Sequence, residues 1–268
     1  MLHGFQLEGM SHKFANYKKS GEIIEQAQKS VSLDALNRYA GADGMLDAEK
    51  INKDWFTLEP ADVFISYSHQ DQDLATGLAG WLKDELKLRV FVDSAIWGSA
   101  DHLLKNIDKS HSKSEMDPKY YDYRKRNLST SHVHMMLVMA IAKMMERSEC
   151  LIFLNTPNSI SPKNTIKNKD YTASPWIYAE LELSRMLERT KLPPERIANV
   201  ERLRKLIEIV SLASRNEELL RHAVSIEHLT QIDEDILELW SYNHTKHGKG
   251  CALDTLYAMN GICLDHIS

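Results

Sequence analysis

Two short apolar runs separated by one amphipathic segment constrain this chain more than anything else in it. "ADVFISYS" begins at Ala61 and "LRVFVD" at Leu88, and both are β-branched and aromatic without polar alternation, as strands buried on both faces require. Between them, "DQDLATGLAGWLKDEL" sets Leu74, Leu78, Trp81, Leu82 and Leu86 on one helical face. Strand, helix and strand within about 30 residues is the size of a parallel crossover unit, which closes with a right hand. A third run of the same kind, "CLIFLN", starts at Cys150. The expected fold is therefore α/β, an open parallel sheet with helices on both faces.

At 268 residues, with 43% hydrophobic and 26% charged side chains, the chain can bury a large core and has the composition of a folded protein. A net charge of −5 carries no electrostatic footprint for nucleic acid. The longest apolar run, "VHMMLVMAIA" from Val133 to Ala142, is shorter than the ~20 residues of a membrane span and reads as a core helix. The first residues lack the apolar stretch and cleavage site of a secretory signal. Three scattered cysteines, Cys150, Cys251 and Cys263, do not form a disulfide framework. The expected setting is the cytoplasm, with neither nucleic acid nor membrane as partner.

Residues 1–59 read as a helical extension, with Ile23, Ile24, Ala27, Val31 and Leu36 at helical spacing. The main domain is expected over 60–230, interrupted at about 110–131 by the polar stretch "KSHSKSEMDPKYYDYRKRNLSTS", which is too long for a simple connection. A helical extension over 231–268 completes the chain.

Ligands of open parallel sheets bind beyond the carboxyl ends of the strands. Here those ends are "SYSHQD" (66–71), "DSAIWGS" (93–99) and "NTPNS" (155–159), and the segment "SPWIYAELEL" opens a helix near the same rim. In that helix Ser174 suits the N-cap and Pro175 the first turn. Trp176 and Glu180, four residues apart, share a face. Glu182 does not, and reads as solvated. The plain alternative for Glu180 is an acidic residue favoured by the helix dipole; for Trp176 it is a core aromatic. "HTKHGKGC" places His244, His247 and Cys251 close together but without a fourth ligand, so no metal is expected. His132 and His134 read as capping or half-buried histidines. No G-x-G-x-x-G and no P-loop is present.

"DVFISYSHQDQDLA", "RVFVDSAIWG", "SECLIFLNTPNSI" and "SPWIYAELEL" occur in the order and spacing of a Toll/interleukin-1 receptor (TIR) domain, which the chain resembles over about residues 61–110 and 132–190. Ser174, Trp176, Glu180 and Leu181 match the family's Ser-x-Trp-x-x-x-Glu-Leu motif. The flanking regions resemble those of bacterial stand-alone TIR-like proteins. The resemblance implies a flavodoxin-like sheet and an enzyme that cleaves the nicotinamide–ribose bond of NAD⁺, as substrate and without a further cofactor. It implies Glu180 as the catalytic carboxylate. It places Tyr67, Ser68, His69, Asp71, Asp93, Trp97, Gly98, Ser174 and Trp176 around the dinucleotide, with Trp97 and Gly98 in the loop that gates the site and mediates self-association. Ser68 departs from the basic residue common in the family. Such proteins serve anti-phage immunity by making a nucleotide signal for a separate effector; the alternative is a non-catalytic scaffold acting by homotypic assembly.

Overall fold

The computed structural model describes residues 3–28, 39, 47–55, 60–92, 94–117, 119–160, 172, 174–207 and 226–262, with the side chains of 12, 52–55 and 94–101 excepted. Five strands form one all-parallel sheet: β1 (His3–Leu7), β2 (Val63–Ser66), β3 (Val90–Val92), β4 (Cys150–Leu154) and β5 (Thr230–Ile232), in the spatial order β3-β2-β4-β1-β5. The described helices are α1 (Lys18–Gln28), α2 (Ala48–Trp55), α3 (Gln72–Leu86), α4 (Ser94–His111), α5 (Tyr123–Arg147), α6 (Pro175–Met186), α7 (Pro194–Ile207), α8 (Glu234–His247) and α9 (Ala252–Met259).

Strand alternation splits the core in two. Phe5, Leu7, Val63, Ile65, Val90, Val92, Ile152 and Leu154 pack with α3, α7, α8 and α9 on one face. Phe64, Phe91, Leu151 and Phe153 pack with α4, α5 and α6 on the other. The expected parallel α/β architecture is present. The opening residues, read from sequence as part of a helical extension, instead supply β1, an interior strand between β4 and β5. Its sequence hides this: Phe5 and Leu7 face one core, but the other face carries only Gly4 and Gln6, so the two-faced apolar run of a buried parallel strand is missing. The C-terminal helices join the same core, through the fully buried Trp240, Leu253, Leu256 and Tyr257.

The polar stretch expected as an insertion is the bend of a helical hairpin. α4 runs through His111 and α5 begins at Tyr123, with an antiparallel bridge between Lys113 and Tyr121 closing the turn. Buried Asp108 accepts from Ser129 Oγ at 2.7 Å and from Arg126 Nε at 3.1 Å. The run 133–142 lies within α5 and buries Val133, Leu137, Ala140 and Ile141.

The edge strand β3 is closed by a side chain: the Gln28 amide donates to Val90 O at 2.8 Å and accepts from Val92 N at 3.2 Å, blunting an edge that would otherwise invite pairing. Gln28 is held there by close packing of α1 on α3. A Cβ on Gly21 would lie 1.9 Å from Thr76 O, and one on Gly80 2.1 Å from Tyr17 O. In an exposed helix Gly→Ala gains up to about 1 kcal/mol. Here backbone collision reverses the sign, and Gly21→Ala is expected to lower stability by about 2 kcal/mol, read as a lower urea midpoint at unchanged slope.

His3, at the start of β1, is buried and bonded through Nε2 to Thr230 Oγ1 at 2.7 Å. Burial, with help from Arg189 and His228, lowers its pKa to about 4. Between that value and the ordinary 6.5 the unfolded chain binds a proton that the folded chain refuses. Stability from this group is therefore full above pH 6.5 and falls by about 3 kcal/mol as the pH drops to 4. Urea titrations at pH 7 and pH 4.5 should show this loss, and His3→Gln should flatten that part of the profile.

Candidate functional site at the carboxyl ends of the strands

From β2 the chain turns outward to the edge strand β3, whereas from β4 it proceeds toward the other side of the sheet. The carboxyl ends of the adjacent β2 and β4 thus flank a topological switch point, the place where open α/β sheets form a ligand crevice.

Helix α6 is aimed at this place by its own start. Ser174 caps it, its side chain accepting from Ile177 N at 3.3 Å, and Pro175 fills the first turn, where no amide hydrogen is needed. Ile177, Leu181 and Ser184 bury one stripe of the helix, and Glu180 lies on that stripe. The Glu180 carboxylate is therefore carried down onto the sheet, where it is only 1% exposed. Ser66, the last residue of β2 and fully buried, donates its hydroxyl to Glu180 Oε2 at 2.5 Å. Desolvating a carboxylate costs several kcal/mol unless hydrogen bonds compensate, so this placement is not the default of a surface helix. Glu182, read from sequence as solvated, is half-buried, lies off the buried stripe and pairs with Arg185 at 3.3 Å.

Trp176 is half-buried against the α5–α6 core, edge-on to His134, with ring centroids 5.1 Å apart at 89°. It stands one turn before Glu180. Tyr67 goes elsewhere: alternation after Ser66 sends its ring into the core on the opposite face of the sheet. Ser68 is half-buried and its carbonyl accepts from Asp71 N at 2.7 Å; His69 is exposed. Asp71 is buried and works as a brace, accepting from Thr156 Oγ1 at 2.5 Å and Asn158 Nδ2 at 2.7 Å. It ties the start of α3 to the loop after β4.

Asp93 lies outside the described residues. Trp97 and Gly98, expected in a gating loop, stand instead in the first turns of α4, which begins directly after β3. Further along the same helix Leu103 and Ile107, at helical spacing, are buried against α5. The structure therefore brings together Ser174, Trp176 and Glu180, and adds Ser66, which the sequence reading passed over. The signal for Ser66 was a hydroxyl ending an otherwise apolar buried strand.

The histidine-rich segment has its own explanation. His244 Nδ1 lies 3.2 Å from Thr255 Oγ1, burial lowers its pKa, and Cys251 is the N-cap residue of α9. Among the described residues no group of three His, Cys, Asp or Glu side chains is placed to share a metal ion. No family model, no curated protein and no solved structure matches the chain.

Proposed function

We propose that this chain is an NAD⁺ nucleosidase of TIR type, with Glu180 as its catalytic carboxylate. The observation that carries the reading is the burial of Glu180 at the switch point of a parallel sheet, held by Ser66 at 2.5 Å, in a helix whose opening resembles the family's Ser-x-Trp-x-x-x-Glu-Leu motif. The strand order shares part of the flavodoxin-like arrangement. Only its first three places, β3-β2-β4, match the start of the 2-1-3-4-5 pattern; the fourth place is held by the chain's first strand, a departure from that pattern.

The chemistry suits a single carboxylate. Nicotinamide leaves NAD⁺ with the electron pair of its bond to ribose and departs neutral, so no acid is needed. The anomeric carbon takes the positive charge, and a fixed carboxylate beside the ring stabilises it. Water then adds to that carbon and its proton passes to solvent, giving ADP-ribose; capture by a hydroxyl of the same molecule gives a cyclic product. Trp176, on the helix turn before Glu180, supplies an aromatic border to the site. Incubating the purified chain with NAD⁺, across concentrations that permit assembly, and analysing products by mass tests the proposal. Release of nicotinamide supports it; assembly with intact NAD⁺ favours the non-catalytic scaffold.

A further inference from the structure

The face of the sheet that carries Ser66 is apolar except along its carboxyl rim. Register aligns Ser66 of β2 with Phe153 of β4, Phe153 with Gln6 of β1, and Gln6 with Gln231 of β5. The ladder continues one residue further, Asn155 N donating to Leu7 O at 2.9 Å and Glu8 N to Ile232 O at 3.0 Å. Glu8 and Asn155 thus stand next to this row. Asn155 Nδ2 donates to Glu8 Oε1 at 2.7 Å and to Gln6 Oε1 at 3.2 Å, and Gln231 Nε2 donates to Glu8 Oε2 at 2.8 Å. The same strands on the opposite face are apolar, with Phe5, Leu7, Ile152, Leu154 and Ile232 buried.

Gln6 lies in an interior strand, where a parallel sheet is expected to be apolar on both faces; Glu8 and Asn155 directly follow β1 and β4, and Gln231 lies on the edge strand β5, so three amides and a carboxylate from four places in the sequence converge on one rim. They are also open to solvent: Gln6, Glu8 and Asn155 are half-buried and Gln231 is exposed. Among the described residues the Gln6 amino group and the carbonyl oxygens of Asn155 and Gln231 have no hydrogen-bond partner. A donor beside acceptors is the pattern by which Asn and Gln read an aminopurine, whose exocyclic amine lies next to a ring nitrogen. The Glu8 carboxylate, with lone pairs to spare, is an acceptor for ribose hydroxyls.

We infer that Gln6, Glu8, Asn155 and Gln231 form a nucleoside subsite that takes the adenosine end of the substrate. At about 4.8 Å per strand, Gln6 lies about 10 Å and Gln231 about 14 Å from Ser66 along the sheet, room for the two nucleoside ends of one dinucleotide. This assignment rests on the NAD⁺ reading for the identity of the other end, but its test does not require turnover.

Calorimetric titration of the full chain with AMP, ADP-ribose and ribose 5-phosphate decides it. Gln231→Ala, at an exposed position, and Gln6→Leu should each weaken AMP and ADP-ribose binding by about tenfold or more, with ribose 5-phosphate binding unchanged. Thermal denaturation of each variant separates loss of binding from loss of fold. AMP failing to bind the unaltered chain, or binding equally to both variants, overturns the subsite. If AMP binding depends on Gln231 while NAD⁺ is never cleaved, the subsite stands and the nucleosidase reading fails. If NAD⁺ is cleaved with the same kcat/KM in Gln231→Ala, the subsite alone is wrong.

Discussion

Glu180→Gln is expected to reduce NAD⁺ cleavage by about 10³-fold while leaving the fold intact. Gln has the shape of Glu and its amide oxygen accepts the Ser66 hydroxyl in the same place, so packing of α6 on the sheet is preserved. What disappears is the negative charge beside the ribose. Removing one preorganised electrostatic group from a water-excluded site costs on the order of 10² to 10³ in rate, and here the carboxylate is 1% exposed, at the strong end of that range. Initial rates of nicotinamide release, alongside thermal denaturation, make the comparison. Full activity in this variant removes Glu180 from the mechanism. Equal losses of activity and melting temperature assign it a structural role.

The second large effect lies away from the site. Arg196 of α7 joins two carboxylates: its two terminal nitrogens meet Glu149 Oε2 and Oε1 at 2.7 Å each, and Nε and Nη2 meet Asp254 Oδ1 at 2.9 and 2.6 Å. Asn199 Nδ2 completes Asp254 at 2.9 Å, and Tyr257 donates to Glu149 at 3.1 Å. Burial works against the guanidinium charge, but the bonds to Glu149 and Asp254 prevail and raise its pKa. The cluster fastens α7 and α9 to the residue that precedes β4. Arg196→Met leaves Asp254, 2% exposed in its side chain, without its counter-charge. Breaking such a pair costs about 3 kcal/mol, or roughly 6–12 °C in Tm for a chain of this size. Adding Glu149→Gln and Asp254→Asn to Arg196→Met is expected to recover part of the loss, because the unpaired charges go with the arginine.

The readable part of the fold was the part with apolar residues on both strand faces. Val63–Ser66, Val90–Val92 and Cys150–Leu154 announced themselves in this way, and α3 by its leucine spacing. β1 and β5 did not, because one face of each carries the polar rim residues Gln6 and Gln231. Polar residues along one face erase the pattern by which a buried strand is recognised. The same holds for the candidate centre. Ser174, Pro175 and the spacing of Glu180 fixed a helix start and separated Glu180 from Glu182. The partner Ser66 is 114 residues distant in sequence, and only the sheet brings the two together. Tyr67 lies with the opposite core for a simple reason: adjacent strand residues point to opposite faces, so Ser66 and Tyr67 face different sides of the sheet. The Arg196 cluster joins three separate elements, and no local spacing signals it.

The central claim is that NAD⁺ sits with its reacting carbon against Glu180. A crystal structure of the Glu180→Gln chain with NAD⁺ tests it directly, since slowed cleavage preserves the intact substrate. The account predicts the nicotinamide ribose against residue 180 beside Ser66, with its anomeric carbon within about 3.5 Å of the side chain. NAD⁺ bound elsewhere, or absent at saturating concentration, would contradict it.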